Sequence, residues 1–262
     1  MKQAHPVYDS IGKTYRATRA ADPRITESLV DLLDLDRSSS ILDIGAGTGN
    51  YSEALAKLGF SVVALEPSEV MRAQGKQHPK LEWRSGQSEN LPFDRDSFDG
   101  VIMTLCMHHF NDWQKALREA VRVVGDGPIV ILTFDAWLDC DFWLFDYFPA
   151  FLEQDKKWFP KISEIESFLK TSLGKELSAT PFALPKDLID HFAAASWARP
   201  ELYLGERYRA GISSFFKVEA SEVSKGLSRL SIDLSNGTWD KLYGFHRERD
   251  KLDVGYRFLT IG

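Results

Sequence analysis

Residues 41–50 read Ile41-Leu42-Asp43-Ile44-Gly45-Ala46-Gly47-Thr48-Gly49-Asn50. A short apolar run ends in an acidic residue and alternating glycines, and a helical pattern follows at once. Glycine allows the backbone to turn with a positive φ or to pass close to a ligand. A loop between a strand and a helix also presents the free N–H groups of the helix N-terminus. The stretch therefore predicts a strand, a ligand-binding turn and a helix of an α/β fold.

The spacing of the glycines bears on the choice of ligand. A dinucleotide-binding loop reads G-x-G-x-x-G, and that frame would require glycine at position 50, where this chain has Asn50. The pattern here is D-x-G-x-G-x-G, from Asp43 to Gly49. Taken alone, the loop leaves open the alternative of a glycine-rich turn without a ligand.

This pattern resembles motif I of the class I S-adenosylmethionine (SAM)-dependent methyltransferases. More narrowly, it is similar to their small-molecule branch, the ubiquinone/menaquinone methyltransferase-like group (methyltransferase type 11). The resemblance implies SAM as cofactor and a doubly wound, seven-stranded, mostly parallel, Rossmann-like α/β sheet. It also implies that the loop passes under the methionine part of SAM and that Asp43 helps to hold the amino group. The loop residues concerned are Gly45, Ala46, Gly47 and Gly49.

Composition narrows the class of protein. The 262 residues are 44% hydrophobic and 27% charged, as in ordinary soluble globular proteins. The net charge of −6 argues against a nucleic-acid partner, which normally requires clustered positive charge. Cys106 and Cys140 lack the spacing of a metal site, so no metal is predicted. With no apolar leader and no run long enough to span a membrane, we expect a cytoplasmic protein of undetermined oligomeric state.

The N-terminal segment carries Tyr8-Asp9, Tyr15 and Arg19. On a helix, Tyr15 and Arg19 share a face because they are four residues apart. The resemblance implies that this segment folds over the cofactor and that Tyr15 and Arg19 contact SAM. An aromatic face suits a sulfonium, and a guanidinium suits a carboxylate. An amphipathic docking helix with a solvated arginine is the open alternative.

Glu66 ends the second predicted strand, Ser61–Leu65, and lies 17 residues after Gly49. A carboxylate in this position can accept hydrogen bonds from both ribose hydroxyls of an adenosine. We therefore place Glu66 and the adjacent Pro67 in the predicted cofactor site. The alternative is a solvated charge, or a cap for the helix that begins near Pro67.

The segment from Gly86 to Phe93 follows the third predicted strand and resembles the family's G-x-A-E-x-L-P-F sequence. The resemblance places Gln87 and Ser88 at the adenine, although the family more often has Asp and Ala there. An amide oxygen can still accept a hydrogen bond from the adenine amine. Thr104 directly follows the fourth predicted strand, Ser97–Met103, at the edge where open α/β sheets bind ligands, and completes the predicted cofactor site.

His108 and His109 follow that strand in a Met107-His108-His109-Phe110 sequence, which resembles the family's L-H-H-F motif. An imidazole titrates near neutral pH and can accept a proton from an acceptor group. We predict His108 as the catalytic residue that faces the pocket, because His109-Phe110 leads directly into the next helix. The alternative is that the histidines only shape the loop.

Beyond residue 135 the alternation of strands and helices breaks. Residues 137–159 are unusually rich in aromatic side chains, which suits the interior of a cap and an aromatic pocket. The predicted organisation is a SAM-binding core with an N-terminal lid (1–135), an aromatic-rich cap segment (136–174), the terminal strands of the core sheet (175–186 and 252–262) and an inserted helical cap (187–251). Within these segments we expect a helix over Ile162–Leu173 and a strand over Leu177–Leu184.

Together these features predict a SAM-dependent methyltransferase that acts on a small-molecule acceptor under a helical cap. Two alternatives remain at this stage. A SAM-binding module without activity would keep the glycine loop and Glu66, and another SAM-using transferase would keep the fold. The acceptor atom is left open between oxygen, nitrogen, carbon and sulfur.

Overall fold

The structure is a computed structural model that describes residues 19–140 and 142–262. The strands are β1 (Ser40–Ile44), β2 (Ser61–Leu65), β3 (Leu81–Arg84), β4 (Gly100–Thr104), β5 (Ile129–Phe134), β6 (Leu177–Pro181), β7 (Leu184–Pro185), β8 (Lys251–Leu252) and β9 (Tyr256–Ile261). Seven of them form one sheet in the order β3-β2-β1-β4-β5-β9-β6. The strands from β3 to β5 are parallel, whereas β9 is antiparallel to β5 and β6. The predicted seven-stranded, mostly parallel α/β sheet is confirmed.

Helices cover both faces of this sheet. They are α1 (Pro23–Leu33), α2 (Asn50–Lys57), α3 (Glu69–Arg72), α4 (Trp113–Val124), α5 (Leu144–Tyr147), α6 (Pro149–Trp158), α7 (Ile162–Phe168), α8 (Glu206–Arg209), α9 (Ser214–Lys217), α10 (Ala220–Ser235) and α11 (Thr238–Tyr243). Within the described residues, none of these helices has the length and apolarity needed to cross a membrane.

Alternate side chains of each strand point to opposite faces of the sheet, and both faces are apolar. Ile41 and Val130 belong to a buried cluster with residues of α1 and α2. Leu42 and Ile131 belong to a second cluster with residues of α4 and α7. The strand order reverses between β1 and β4, and in open α/β sheets a ligand crevice lies at this reversal.

Two element boundaries differ from the sequence prediction. The predicted strand Leu177–Leu184 divides, because β6 ends at Pro181 and β7 pairs with β8 in a separate two-stranded sheet. Proline lacks the N–H that a strand ladder requires, so Pro181 is a natural end. The predicted helix Ile162–Leu173 is α-helical only to Phe168 and continues as a π-helical turn to Gly174, where φ is +64°.

Residues 142–159 and 187–251 pack against each other through large aromatic side chains. Trp143 is fully buried, and its indole N–H donates to the carbonyl of Trp197 over 2.7 Å. Its ring makes edge contacts with Tyr203 and Trp239, at centroid distances of 5.6 and 5.4 Å. These side chains belong to the same buried cluster as Ile41, so this core is continuous with one face of the sheet. Within 187–251, helical structure begins only at Pro200, which is later than predicted.

Candidate active site

A cavity opens at the carboxyl ends of β1, β2 and β4. Its space, including the open mouth, is about 1070 Å³. The predicted cofactor-binding residues that line it are Arg19, Gly45, Ala46, Gly47, Glu66, Pro67, Gln87, Ser88 and Thr104. Asp43 and Gly49 do not line it, and Tyr15 lies outside the described residues. The fold thus brings together residues from the carboxyl ends of four strands, β1 to β4, and Arg19.

The glycine loop has the backbone conformation that its composition predicts. Gly45, Gly47 and Gly49 have φ values of 73°, 59° and 72°. A Cβ atom on Gly45 would lie 2.8 Å from the Cβ of Cys106, and one on Gly49 would lie 2.5 Å from the Trp83 ring. At Gly47 the nearest atom is the Met71 Cε at 3.5 Å, and both residues border the cavity. Two of the glycines are therefore fixed by packing, and Gly47 forms an open cradle for a ligand.

Glu66 connects the first two loops of the site. Its carboxylate accepts a hydrogen bond from the Gly47 N–H over 3.0 Å and another from the Ser68 N–H over 2.9 Å. The N-terminus of α3 is capped by the Ser68 hydroxyl, which accepts from the Met71 N–H. Because Ser68 already supplies the side-chain cap of α3, the alternative that Glu66 serves as the cap of this helix is weakened. Its place at the end of β2, facing the cavity, suits ribose hydroxyls.

Asp43 lies buried behind the glycine loop and is only 2% exposed. The Ser52 hydroxyl of α2 donates to its Oδ2 atom, while no described residue donates to its Oδ1 atom. Burial raises the pKa of Asp43 to about 7, the Ser52 hydrogen bond opposes this rise, and the charge of Glu66 adds to it. Asp43 therefore joins β1 to α2 beneath the loop and keeps one unsatisfied acceptor there.

The loop that follows β3 is held in place by a network on α4. Glu119 accepts the Leu91 N–H over 2.8 Å, and Arg122 donates to the carbonyls of Leu91 and Phe93. Glu89 in the same loop accepts the Asn111 N–H over 2.7 Å. These bonds position the segment that carries Gln87 and Ser88 beside the loop that carries the two histidines. The backbone role of Glu89 was not predicted from the sequence.

The position of Asp190 at the cavity was also not predicted from the sequence. This residue is 1% exposed and lines the cavity from the 187–251 segment. The Arg19 guanidinium donates to both of its carboxylate oxygens, and the Tyr51 hydroxyl donates to Oδ2 over 2.8 Å. Burial first, and then the Asp190 charge, raises the pKa of Tyr51 well above its usual value. No local sequence pattern marks Asp190, because its partners lie far away along the chain.

A second cavity of about 770 Å³ adjoins the first and shares Arg19, Leu105 and His109 with it. Its polar side chains include Asp155 and Lys217. Its walls are mainly aromatic, and the rings that line it belong to Phe134, Phe142, Phe145, Phe151, Phe159, Phe192 and Tyr256. A small-molecule site typically combines such apolar walls with a few placed polar groups.

The orientation of the two histidines differs from the prediction, in which only His108 faces the pocket. Both line the second cavity, and His109 alone of the two also lines the first. Residues 107–109 form one 3₁₀ turn, which projects both imidazoles together with their centroids 3.8 Å apart. The ring of His108 stacks on Phe159 at 4.5 Å. Burial is the main cause that lowers the pKa of both imidazoles well below the usual value, and Lys217 and Arg19 add to it.

The residues present fit SAM. The positive-φ cradle, the carboxylate of Glu66 at the end of β2 and the unpartnered Oδ1 of Asp43 suit a ligand with an amino group and a ribose. The hydroxyl of Thr104, at the end of β4, has no hydrogen-bond partner among the described residues and also lies at the cavity. This combination of fold and site defines a class I methyltransferase.

Comparison with known proteins agrees with this class. Residues 42–132 match a family described as a methyltransferase domain. A solved structure from Anabaena variabilis ATCC 29413, provisionally described as a methyltransferase from an antibiotic biosynthesis pathway, is 46% identical. The match covers 94% of this chain and 99% of that one, with a TM-score of 0.89. The chain belongs to the class I SAM-dependent methyltransferases of small-molecule type, and SAM is its cofactor.

More distant similarities cover less of the chain or show the fold alone. A demethylmenaquinone methyltransferase of Renibacterium salmoninarum is 35% identical over 134 residues, which are 48% of this chain. The match covers 53% of that relative, so the chain spans about half the length of the curated protein. The [4+2]-cyclase SpnF has a TM-score of 0.62 at 15% identity, with 99% of this chain and 93% of that one covered. Since its identity is low, SpnF supports only the fold.

Proposed function

We propose that this enzyme transfers a methyl group from SAM in the first cavity to a small-molecule acceptor in the second. The observation that carries the proposal is the shared boundary of the two cavities at Arg19, Leu105 and His109. Residues 136–174 and 187–251 are proposed to act as the cap of this site, because both contribute lining residues of the second cavity. A binding module without an acceptor would have no need for that cavity.

The proposed cofactor contacts follow from the positions of the residues. Glu66 and Pro67 would hold the ribose, and Gln87 and Ser88 would face the adenine. The glycine loop, with Asp43 behind it and Arg19 across the cavity, would hold the methionine part. Thr104 lies at the end of β4 between these groups. Tyr15 remains a predicted contact.

Bound SAM supplies a methyl group that is activated by its sulfonium. The main contribution of the protein to such an in-line displacement is proximity and alignment of the two reactants. The aromatic cavity excludes water from the acceptor, and the turn at residues 107–109 lies at its boundary with the cofactor cavity. The lowered pKa of His109 keeps its imidazole neutral at pH 7, so it can accept a proton from a hydroxyl, amine or thiol.

Methyl transfer is tested with radiolabelled SAM and a library of small hydroxyl, amine and thiol compounds. We expect label in an organic-extractable product whose mass has increased by one methyl group. Recovery of the label only in precipitated protein or nucleic acid would contradict the proposal. Heat-inactivated enzyme serves as the control for non-enzymatic methylation.

His109→Ala is expected to lower turnover by about 10²-fold, the usual contribution of a general base. SAM affinity should change little, because the residue would act on the acceptor. The matched comparison is His108→Ala, since that imidazole lines only the second cavity. Turnover and SAM affinity are measured separately with an acceptor found in the label-transfer screen. A larger loss of turnover for His108→Ala than for His109→Ala would indicate that His108 is the general base.

A further inference from the structure

Asp155 is a carboxyl group on the face of α6 that lines the second cavity. Phe151 lies four residues before it on the same helix, Phe159 directly follows the end of the helix, and both rings line the same cavity. Side chains at this spacing share one face of a helix. A carboxyl group between two phenyl rings is costly unless another group interacts with it. Asp155 does not line the cofactor cavity, so it faces the acceptor side alone.

No hydrogen bond or close ion pair to the Asp155 carboxyl group is formed within residues 19–140 and 142–262. Within the described part of the chain, the charged neighbour that acts on it is the ammonium of Lys217, which lowers the pKa of Asp155. Burial outweighs this influence and raises the pKa of Asp155 to about 7. The cavity thus contains an acceptor oxygen that the rest of the described chain leaves unsatisfied.

The charges around the cavity indicate what kind of molecule fits. The Arg19 guanidinium is paired with the Asp190 carboxylate. Lys217 then lies near Asp155 with the opposite charge, and both histidines are neutral at pH 7. Because the charges of these described residues nearly balance when Asp155 is ionised, they favour a neutral ligand over a cation or an anion. The ring-lined walls of the cavity favour a flat aromatic body.

We propose that Asp155 anchors the acceptor by accepting a hydrogen bond from a hydroxyl or N–H group of a neutral aromatic molecule. This inference rests on the proposed function, in which the second cavity holds the acceptor. The methyl-receiving atom must reach the boundary at His109, whereas Asp155 lies outside the cofactor cavity. The acceptor therefore carries a second polar group besides the one that is methylated. Asp155 is a specificity-determining residue in this assignment.

The test uses two probes of similar shape, 2-naphthol and 2-methylnaphthalene, and measures their affinities by titration of the full chain. A hydrogen bond to a carboxylate should favour 2-naphthol by about tenfold in the wild type. Asp155→Leu should abolish this preference. Glu153→Gln is the matched control, because Glu153 lies exposed on the same helix and should leave the preference unchanged. An equal preference in Asp155→Leu would overturn the proposal.

The pH dependence distinguishes an anchoring carboxylate from a merely structural side chain. Among the residues that the structure describes, the other titratable or charged groups that line the cavity are Arg19, His108, His109, Lys217 and Tyr256. Burial keeps the pKa of both histidines well below the usual value and raises that of Tyr256 above it. Between pH 6 and 8, Asp155 is therefore the group expected to lose a proton, since its pKa is about 7.

The deprotonated carboxylate is the better hydrogen-bond acceptor, so the preference for 2-naphthol should grow as the pH rises from about 6 to about 8. Asp155→Asn has nearly the same shape and should show no such dependence. A preference that is independent of pH in the wild type would overturn the proposal. SAM affinity, measured in parallel, checks that each variant is folded. If the wild type transfers methyl groups but shows no preference for 2-naphthol, only the anchoring role of Asp155 is refuted. If it prefers 2-naphthol but transfers no methyl group, only the proposed methyl transfer is refuted.

Discussion

Gly47→Val is expected to lower SAM affinity by more than about 100-fold. Gly47 borders the cofactor cavity with a φ of +59°, a conformation that a β-branched residue rarely adopts. Its valine side chain would begin 3.5 Å from Met71, another residue of the cavity wall. The substitution therefore adds bulk at the place where the backbone must approach the cofactor closely. Calorimetric titration with SAM measures the effect.

Gly174→Val is the matched control for backbone strain. Gly174 has a φ of +64° and no atom within 4 Å of its Cβ position, and it does not line the cofactor cavity. Both variants should lose about 1–3 kcal/mol of unfolding free energy, the usual cost of such strain. Only Gly47→Val should lose SAM binding. Equal SAM affinities in the two variants would show that the loop does not form the cradle.

Trp143→Ala is expected to lower the free energy of unfolding by about 3–5 kcal/mol, as large-to-small changes of a buried aromatic side chain do. The indole is fully buried and packs edge-on against Tyr203 and Trp239. Its removal would leave a large cavity and would deprive the Trp197 carbonyl of its 2.7 Å donor. Urea denaturation, followed by circular dichroism, measures the change.

Trp137→Ala provides the comparison on the surface. Trp137 belongs to the same aromatic-rich segment but is 44% exposed, and its ring contacts the ammonium groups of Lys156 and Lys161. We expect its loss to cost less than about 1 kcal/mol, which is typical of exposed contacts of this kind. A similar cost for both tryptophans would mean that Trp143 does not join the two segments into one core.

The local motifs of the chain were sufficient to predict the cofactor-binding half of the fold. Strand β1, the glycine turn and α2 follow one another within residues 40–57, so their hydrogen bonds and dihedral angles depend on neighbouring residues. The position of Glu66 could be predicted for the same reason, because it directly follows the next strand, and the sheet brings it back to Gly47. Short-range patterns of this kind can be read without knowing the packing of the rest of the chain.

The second cavity and its boundary with the first depend on contacts between residues that are far apart along the chain. Asp190 meets Arg19 across 171 residues, and Trp143 meets Trp197 across 54. Whether His108 or His109 borders the first cavity depends on how the 107–109 turn lies between the two cavities, which adjacent residues in a sequence do not reveal. Asp155 likewise reads as an ordinary polar residue of α6 until the aromatic side chains around it are placed.

The sequence by itself determined the cofactor and the sheet, because strands, turns and caps follow local rules. Only the tertiary structure decided the second cavity, which we propose holds the acceptor, because its walls are assembled from segments that meet through long-range packing.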